Sequence, residues 1–169
     1  MAIDTKPKVK RHILSLTVNG EERVALVKAN TTLLDLLREE FDLTGAKKGC
    51  ELCDCGACTV LLDGEPVNSC LVLALEAEGR SVTTIEGLEQ AGKLDVVQEA
   101  FIANGAIQCG YCAPGMILSS RALLNRNPHP TELEVRQAIS GNLCRCTGYV
   151  NIVQAVLAAA ETQAAQAEV

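Results

Sequence analysis

The sequence contains no tryptophan, and its two phenylalanines and two tyrosines bring the aromatic share to 2% of 169 residues. Any core must therefore be built from Leu, Val, Ile and Ala, and little is left to line a large substrate pocket. Histidine is scarce too, with two in all, so the chain is poorly equipped to transform an organic substrate alone. No apolar run approaches the about 20 residues that would span a bilayer, so a soluble chain without membrane insertion is expected. Basic clusters are missing beyond Lys6 to Arg11, and the formal net charge is −6. That balance speaks against nucleic-acid binding, and the short basic run is expected to be a solvated tail. The N-terminus also lacks the apolar stretch of a secretory leader.

Cysteine, by contrast, is abundant: there are nine. An odd count without a leader argues against a disulfide framework and for metal-bound thiolates in a reducing compartment, hence a cytoplasmic protein. Five lie in or just beyond Gly49 to Thr59, and Cys50-x4-Cys55-x2-Cys58 with Cys70 further on is the plant-type [2Fe-2S] spacing. A tight loop would supply three thiolates at little ordering cost, and a remote strand the fourth. Metal sites would also offset the limited apolar burial of small domains.

Around this loop the pattern is that of a sheet. Leu14, Leu16 and Val18 alternate with Ser15 and Thr17, Asn19-Gly20 is a type I′ turn signal, and Val24 and Leu26 continue the alternation. Thr32 to Asp35 fits a capping box opening a helix with Leu33, Leu36, Leu37 and Phe41 on one face. Asp63-Gly64 joins Thr59–Leu62 to Glu65–Asn68 in a second hairpin that returns Cys70 toward the loop, and Ser81 to Ile85 reads as a closing strand.

From Lys93 onward the period is helical. Leu94, Val97 and Phe101 lead to a C-cap at Asn104-Gly105; Pro114 stands at the first position of a second helix; Thr131 and Glu134 form a capping box for a third; a fourth is predicted from about Tyr149 to Glu161, with a fraying tail. The fold class is thus α+β, with a small sheet domain over 1–86, a four-helix bundle domain over 87–169 and the boundary near Glu86 to Gly92.

The helical half carries Cys109-x2-Cys112 and Cys144-x-Cys146. Each pair precedes a predicted helix, so backbone N–H groups and the positive end of the dipole would face an anionic site. By spacing alone this second set suits structural zinc as well as iron, although Cys144-x-Cys146 is tighter than the usual zinc pair. A free-standing two-cluster ferredoxin or redox sensor, or a zinc-stapled interaction module, would also fit these residues.

Lys48-Gly49-Cys50, Cys55-Gly56-Ala57-Cys58-Thr59-Val60, Gln108-Cys109-Gly110-Tyr111-Cys112 with Pro114-Gly115-Met116, and Gly141 to Tyr149 together resemble the iron-sulfur subunit of the xanthine oxidase family of molybdenum hydroxylases. The likeness runs from about Ile13 to the last helix. It implies a β-grasp plant-type ferredoxin domain followed by a four-helix domain, with one [2Fe-2S] cluster on Cys50, Cys55, Cys58 and Cys70 and a second on Cys109, Cys112, Cys144 and Cys146. It further implies a separate small subunit whose Gln108 and Cys146 approach a molybdenum-pterin cofactor on a large partner subunit. Electrons would pass from there through both clusters to a flavin (FAD) subunit or another carrier, with substrate chemistry on the large subunit. One departure stands out: the family's glycines between the first two cysteines are replaced by Glu51-Leu52-Cys53-Asp54, and Leu and Cys tolerate positive φ poorly. The ninth cysteine, Cys53, is expected not to be a ligand.

Overall fold

A computed structural model describes residues 10–167 of the chain. Most of the basic run from Lys6 lies outside these residues. Five strands form one mixed sheet: β1 (Arg11–Val18), β2 (Glu21–Lys28), β3 (Thr59–Leu62), β4 (Glu65–Asn68) and β5 (Ser81–Thr83), in the order β2-β1-β5-β3-β4. The β1–β5 pair is parallel; the other pairs are antiparallel.

Both predicted hairpins form. Asn19 and Gly20 take φ of 53° and 84°, and Asp63 and Gly64 take 52° and 86°, as a two-residue type I′ turn requires. The first turn sets Leu14 opposite Ala25 and Leu16 opposite Arg23. Directly opposed residues share a face, so β1 buries Leu14, Leu16 and Val18 while β2 buries only Val27. Val24 and Leu26 fall on the outer face with Ile13, which Leu26 opposes.

Helix α1 (Leu33–Asp35) is a single turn that widens into a π-helical turn over Leu36–Glu40. Thr32 Oγ1 accepts the Asp35 N–H at 3.0 Å. Leu33, Leu34, Leu36 and Leu37 are all buried, one more than a single helical stripe would place inward, whereas Phe41 is only half-buried. The closing strand stops at Thr83, two residues earlier than the pattern suggested, because Ile85–Gly87 turns into a 3₁₀ helix.

Helices α2 (Val96–Ala103), α3 (Ala113–Arg126), α4 (Glu132–Ala138) and α5 (Val150–Ala167) enclose a second core that includes Phe101, Met116, Ile139, Ile152 and Val156. Asp95 caps α2 and leaves Leu94 outside it, the Thr131–Glu134 capping box opens α4, and α5 continues six residues past the predicted end at Glu161. The alanine-rich composition of that last stretch has high helix propensity. A small third cluster joins the two cores: Leu61 of β3 packs on Leu118 and Ala122 of α3. No helix among the described residues is long and apolar enough to cross a membrane.

Candidate functional site

The Gly49–Thr59 loop leaves the π-helical turn and re-enters the sheet at β3. Lys48 fixes its start: its ammonium pairs with Asp35 at 2.5 Å and Glu39 at 2.9 Å, and its carbonyl accepts a bond from the Tyr111 hydroxyl. The glycine-free insert turns with Glu51 and Cys53, and not Leu52, in the left-handed region, at φ of 56° and 68°. This geometry aims backbone N–H groups inward. Leu52, Asp54 and Cys55 N–H all point at the Cys50 sulfur, at 3.4, 3.3 and 3.4 Å. Those three donors, the Leu52 bond foremost, bring the Cys50 thiol down to about 7, so it readily becomes a thiolate.

Cys55 adjoins Cys50. Cys58 is buried, and Cys70 packs against it. Burial first, then the neighbouring Cys70 and Cys55 thiols, pushes Cys58 up to about 12. Cys70 lies in the turn just after β4 rather than on a strand. That turn is gripped by the free N–H groups at the start of α1: Leu34 N–H donates to Ser69 O at 3.1 Å and Leu33 N–H to Val72 O at 2.7 Å. Cys53 stays apart from this set: exposed, its sulfur accepts a bond from Asn68 Nδ2 at 2.9 Å.

The second set follows the same arrangement. Cys112 is the N-cap of α3, and Cys144 and Cys146 lie in the loop before α5. Cys146 and Cys109 sulfurs are 3.6 Å apart, and Cys112 adjoins Cys144. Burial, and after it the Cys144 thiol, raises Cys112 to about 12. Burial alone would also raise Cys144, but hydrogen bonds from Thr147, whose hydroxyl is 3.2 Å away, bring it below the usual thiol range. Gln108, Cys109 and Cys146 are exposed on one side of this set and line one cleft with Cys112 and Cys144.

Among the described residues, no three His, Cys, Asp or Glu side chains converge tightly enough for a single metal ion. The thiols instead meet as pairs: Cys50 with Cys55, Cys58 with Cys70, Cys109 with Cys146, Cys112 with Cys144. One tetrahedral ion draws four sulfurs to a point at about 2.3 Å, whereas a two-iron core takes a pair at each end. Both sets fit the two-iron arrangement, and thiols pushed to about 12 by burial first and neighbouring thiols second gain from a cation that neutralises them.

The two sets share a seam. Leu143 N–H, beside Cys144, donates to the Cys55 carbonyl at 2.9 Å. Next to it the buried Asn142 donates from Nδ2 to Gly56 O at 2.9 Å and to Thr59 Oγ1 at 3.1 Å, and Ser119 Oγ donates to its Oδ1 at 2.8 Å. Gly56 has φ of 66°, and a Cβ there would sit 2.3 Å from Gly141 O. Tyr149 bridges the second loop, its hydroxyl accepting the Cys144 N–H at 2.8 Å and donating to Asn142 O at 3.2 Å. Asn142 and Tyr149 stand out in the sequence only as members of the Gly141–Tyr149 motif, and Ser119 not at all; an asparagine before a cysteine motif gives no sign there that it will be buried against a loop 86 residues away.

Comparison with known proteins agrees with this geometry. A domain model described as "2Fe-2S iron-sulfur cluster binding domain" matches residues 16–84, and one described as "[2Fe-2S] binding domain" matches 84–157. The chain is 51% identical over 148 residues to the nicotinate dehydrogenase small FeS subunit of Eubacterium barkeri, covering 88% of this chain and 94% of that one. It is 52% identical over 144 residues to the nicotine 6-hydroxylase small subunit of Paenarthrobacter nicotinovorans, covering 85% and 87%. A chain in the crystal structure of quinoline 2-oxidoreductase from Pseudomonas putida 86 superposes with a TM-score of 0.88 at 48% identity, over 94% of this chain and 99% of that one. The aldehyde oxidoreductase of Desulfovibrio desulfuricans matches equally well, with a TM-score of 0.88 at 44% identity, but over 17% of its much longer chain.

Proposed function

Since the chain belongs to the iron-sulfur small subunits of the xanthine oxidase family of molybdenum hydroxylases, we infer that its part in such an enzyme is electron transfer. It carries electrons between a molybdenum-pterin site on a large subunit and a flavin or other carrier, while substrate chemistry takes place on the large subunit. We assign Cys50, Cys55, Cys58 and Cys70 as ligands of one [2Fe-2S] cluster, in a β-grasp ferredoxin domain over residues 1–86. Cys109, Cys112, Cys144 and Cys146 are assigned to the other, in a helical bundle domain over 87–169. The separate cores on either side of the Leu61–Leu118 contact support that division.

The observation that carries the reading is the backbone bond from Leu143 N–H to Cys55 O. It leaves one hydrogen bond between a residue of the first ligand set and the neighbour of a residue of the second. Each cluster, when bound, supplies a one-electron couple. The residues of the chain do the rest. The thiol pairs would hold the irons, the N–H groups on Cys50 would stabilise negative charge on its sulfur and so favour the reduced state, and the buried Cys58 and half-buried Cys112 face the inner side of each site. The exposed Gln108 and Cys146 are the polar and sulfur groups on the outer side of the second set, and we assign them to the face that meets the pterin. The exposed Leu52–Cys53 loop is assigned to the side of the acceptor. A reducing, cytoplasmic setting suits nine unpaired thiols.

The experiment is isolation of the native complex. A much larger molybdenum-containing chain should co-purify, iron and sulfide should reach the level of two clusters per small chain, and EPR of the fully reduced complex should show two spin systems. A colourless protein with zinc in place of iron, or iron for a single cluster, would defeat this reading.

A further inference from the structure

We propose that Asn142 is a positioning residue for electron exchange between the two centres: its buried amide holds the Leu143 N–H on the Cys55 carbonyl. The proposal rests on the two-centre reading above and goes beyond ligand assignment to what fixes the distance between the sets. In the exchange itself one electron leaves the reduced centre on the helical side and is gained by the oxidised centre on the sheet side; no bond or proton changes place.

Asn142 is 4% exposed, and its side chain is engaged at both ends. Nδ2 reaches Gly56 O and Thr59 Oγ1 in the first cysteine loop, and Oδ1 receives the Ser119 hydroxyl from α3. Its backbone is fixed as well, with N–H on Ile139 O at 2.9 Å and its carbonyl receiving the Tyr149 hydroxyl. The residue therefore ties α3, the loop before Cys144 and the loop after Cys55 to one point.

Close approach of backbone leaves this clamp no slack. A Cβ on Gly115 would lie 2.4 Å from Gly56 O and 2.9 Å from Asn142 Nδ2, so α3 also presses on the same carbonyl. Docking of the two halves, in contrast, does not depend on Asn142 alone. Leu61 against Leu118 and Ala122, the Arg126–Glu65 ion pair at 3.2 Å and the Tyr111–Lys48 bond span the seam elsewhere. Removing the amide should thus leave the halves docked while freeing the one bond between the sets.

The test uses the complete complex carrying Asn142→Asp, which keeps an acceptor for Ser119 and loses the donors to the first loop, and separately Ser119→Ala, which only frees the amide to turn. Iron content, hydrogen exchange of the segment containing the Leu143 amide, and the rate of electron equilibration between the centres after flash reduction are measured together. With iron retained, Asn142→Asp should speed Leu143 exchange about tenfold, the scale of one lost buried hydrogen bond, and slow equilibration by several-fold; Ser119→Ala should move both in the same direction by less. Wild-type exchange and wild-type rate in both variants would overturn the proposal, as would a slowed rate with Leu143 protection intact. If Asn142→Asp loses iron, Ser119→Ala decides by the same two readouts. A wild-type complex with one reducible centre, or with no exchange between two, would instead overturn the underlying reading, and is recognised before any variant is made.

Discussion

At the residue scale, Cys50 and Cys53 show how position divides identical side chains into different roles. Three N–H groups surround the Cys50 sulfur, while Cys53, three residues on, is exposed and bonded to Asn68. Cys53→Ser is expected to keep both clusters, with at most a modest change in potential through the Asn68 contact. Cys55→Ser is expected to lose or severely perturb the first cluster. Iron content and EPR of the two variants check this; cluster loss in Cys53→Ser would mean that the loop uses other ligands. Gly56 is the tightest point of the seam. Gly56→Ala is expected to destabilise the protein by more than about 2 kcal/mol, since left-handed backbone costs Ala about 1–2 kcal/mol and the new methyl would meet Gly141 O at 2.3 Å. Thermal unfolding of the cluster-loaded protein measures it.

At the scale of elements, the short α1 and its π-helical turn serve the site as well as the core. The first N–H groups hold the Cys70 turn, and Asp35 and Glu39 hold Lys48 at the head of the cysteine loop. Burial alone would raise the Asp35 carboxyl, but hydrogen bonds from Lys48 and Thr32, with the Lys48 charge, keep it below its usual range. A carboxyl lowered in the folded state contributes stability above its unfolded pKa of about 4 and loses that contribution as pH falls through the folded value. Asp35→Asn should therefore be less stable than wild type at neutral pH, and the gap should close below about pH 4. Unfolding curves of both proteins across that range test it, and a gap that stays constant to low pH would contradict it.

At the scale of the whole molecule, the exposed face carrying Gln108, Cys109 and Cys146 lies on the helical side, and the Cys50 loop belongs to the sheet side. Gln108→Ala is expected to weaken association with the large subunit by about 1–3 kcal/mol if its amide meets a buried partner there, with both clusters retained. Titration of the reconstituted complex measures the loss, and cross-linking that placed the Cys50 loop against the pterin would overturn the orientation.

The sequence by itself determined most of what is local. Two-residue turns at Asn19-Gly20 and Asp63-Gly64 and the capping box at Thr131 depend on neighbouring residues, and each is found where the pattern placed it. Motifs that combine such local features also carried the family. Contacts across the chain were decided by tertiary structure alone. Which face of the first hairpin is covered was decided there: Val24 and Leu26 alternate like core residues but lie on the face that the core leaves open. The widening of the short helix into a π-helical turn over Leu36–Glu40 leaves no mark in the spacing of its leucines. The pairing of thiols 37 residues apart arises only when the helices of the second half pack together, and the bond from Leu143 to Cys55 and the burial of Asn142 on Gly56 arise only when the two cores dock. A residue's burial and hydrogen-bond partners depend on what packs against it, and no periodicity along the chain records what comes from its other half.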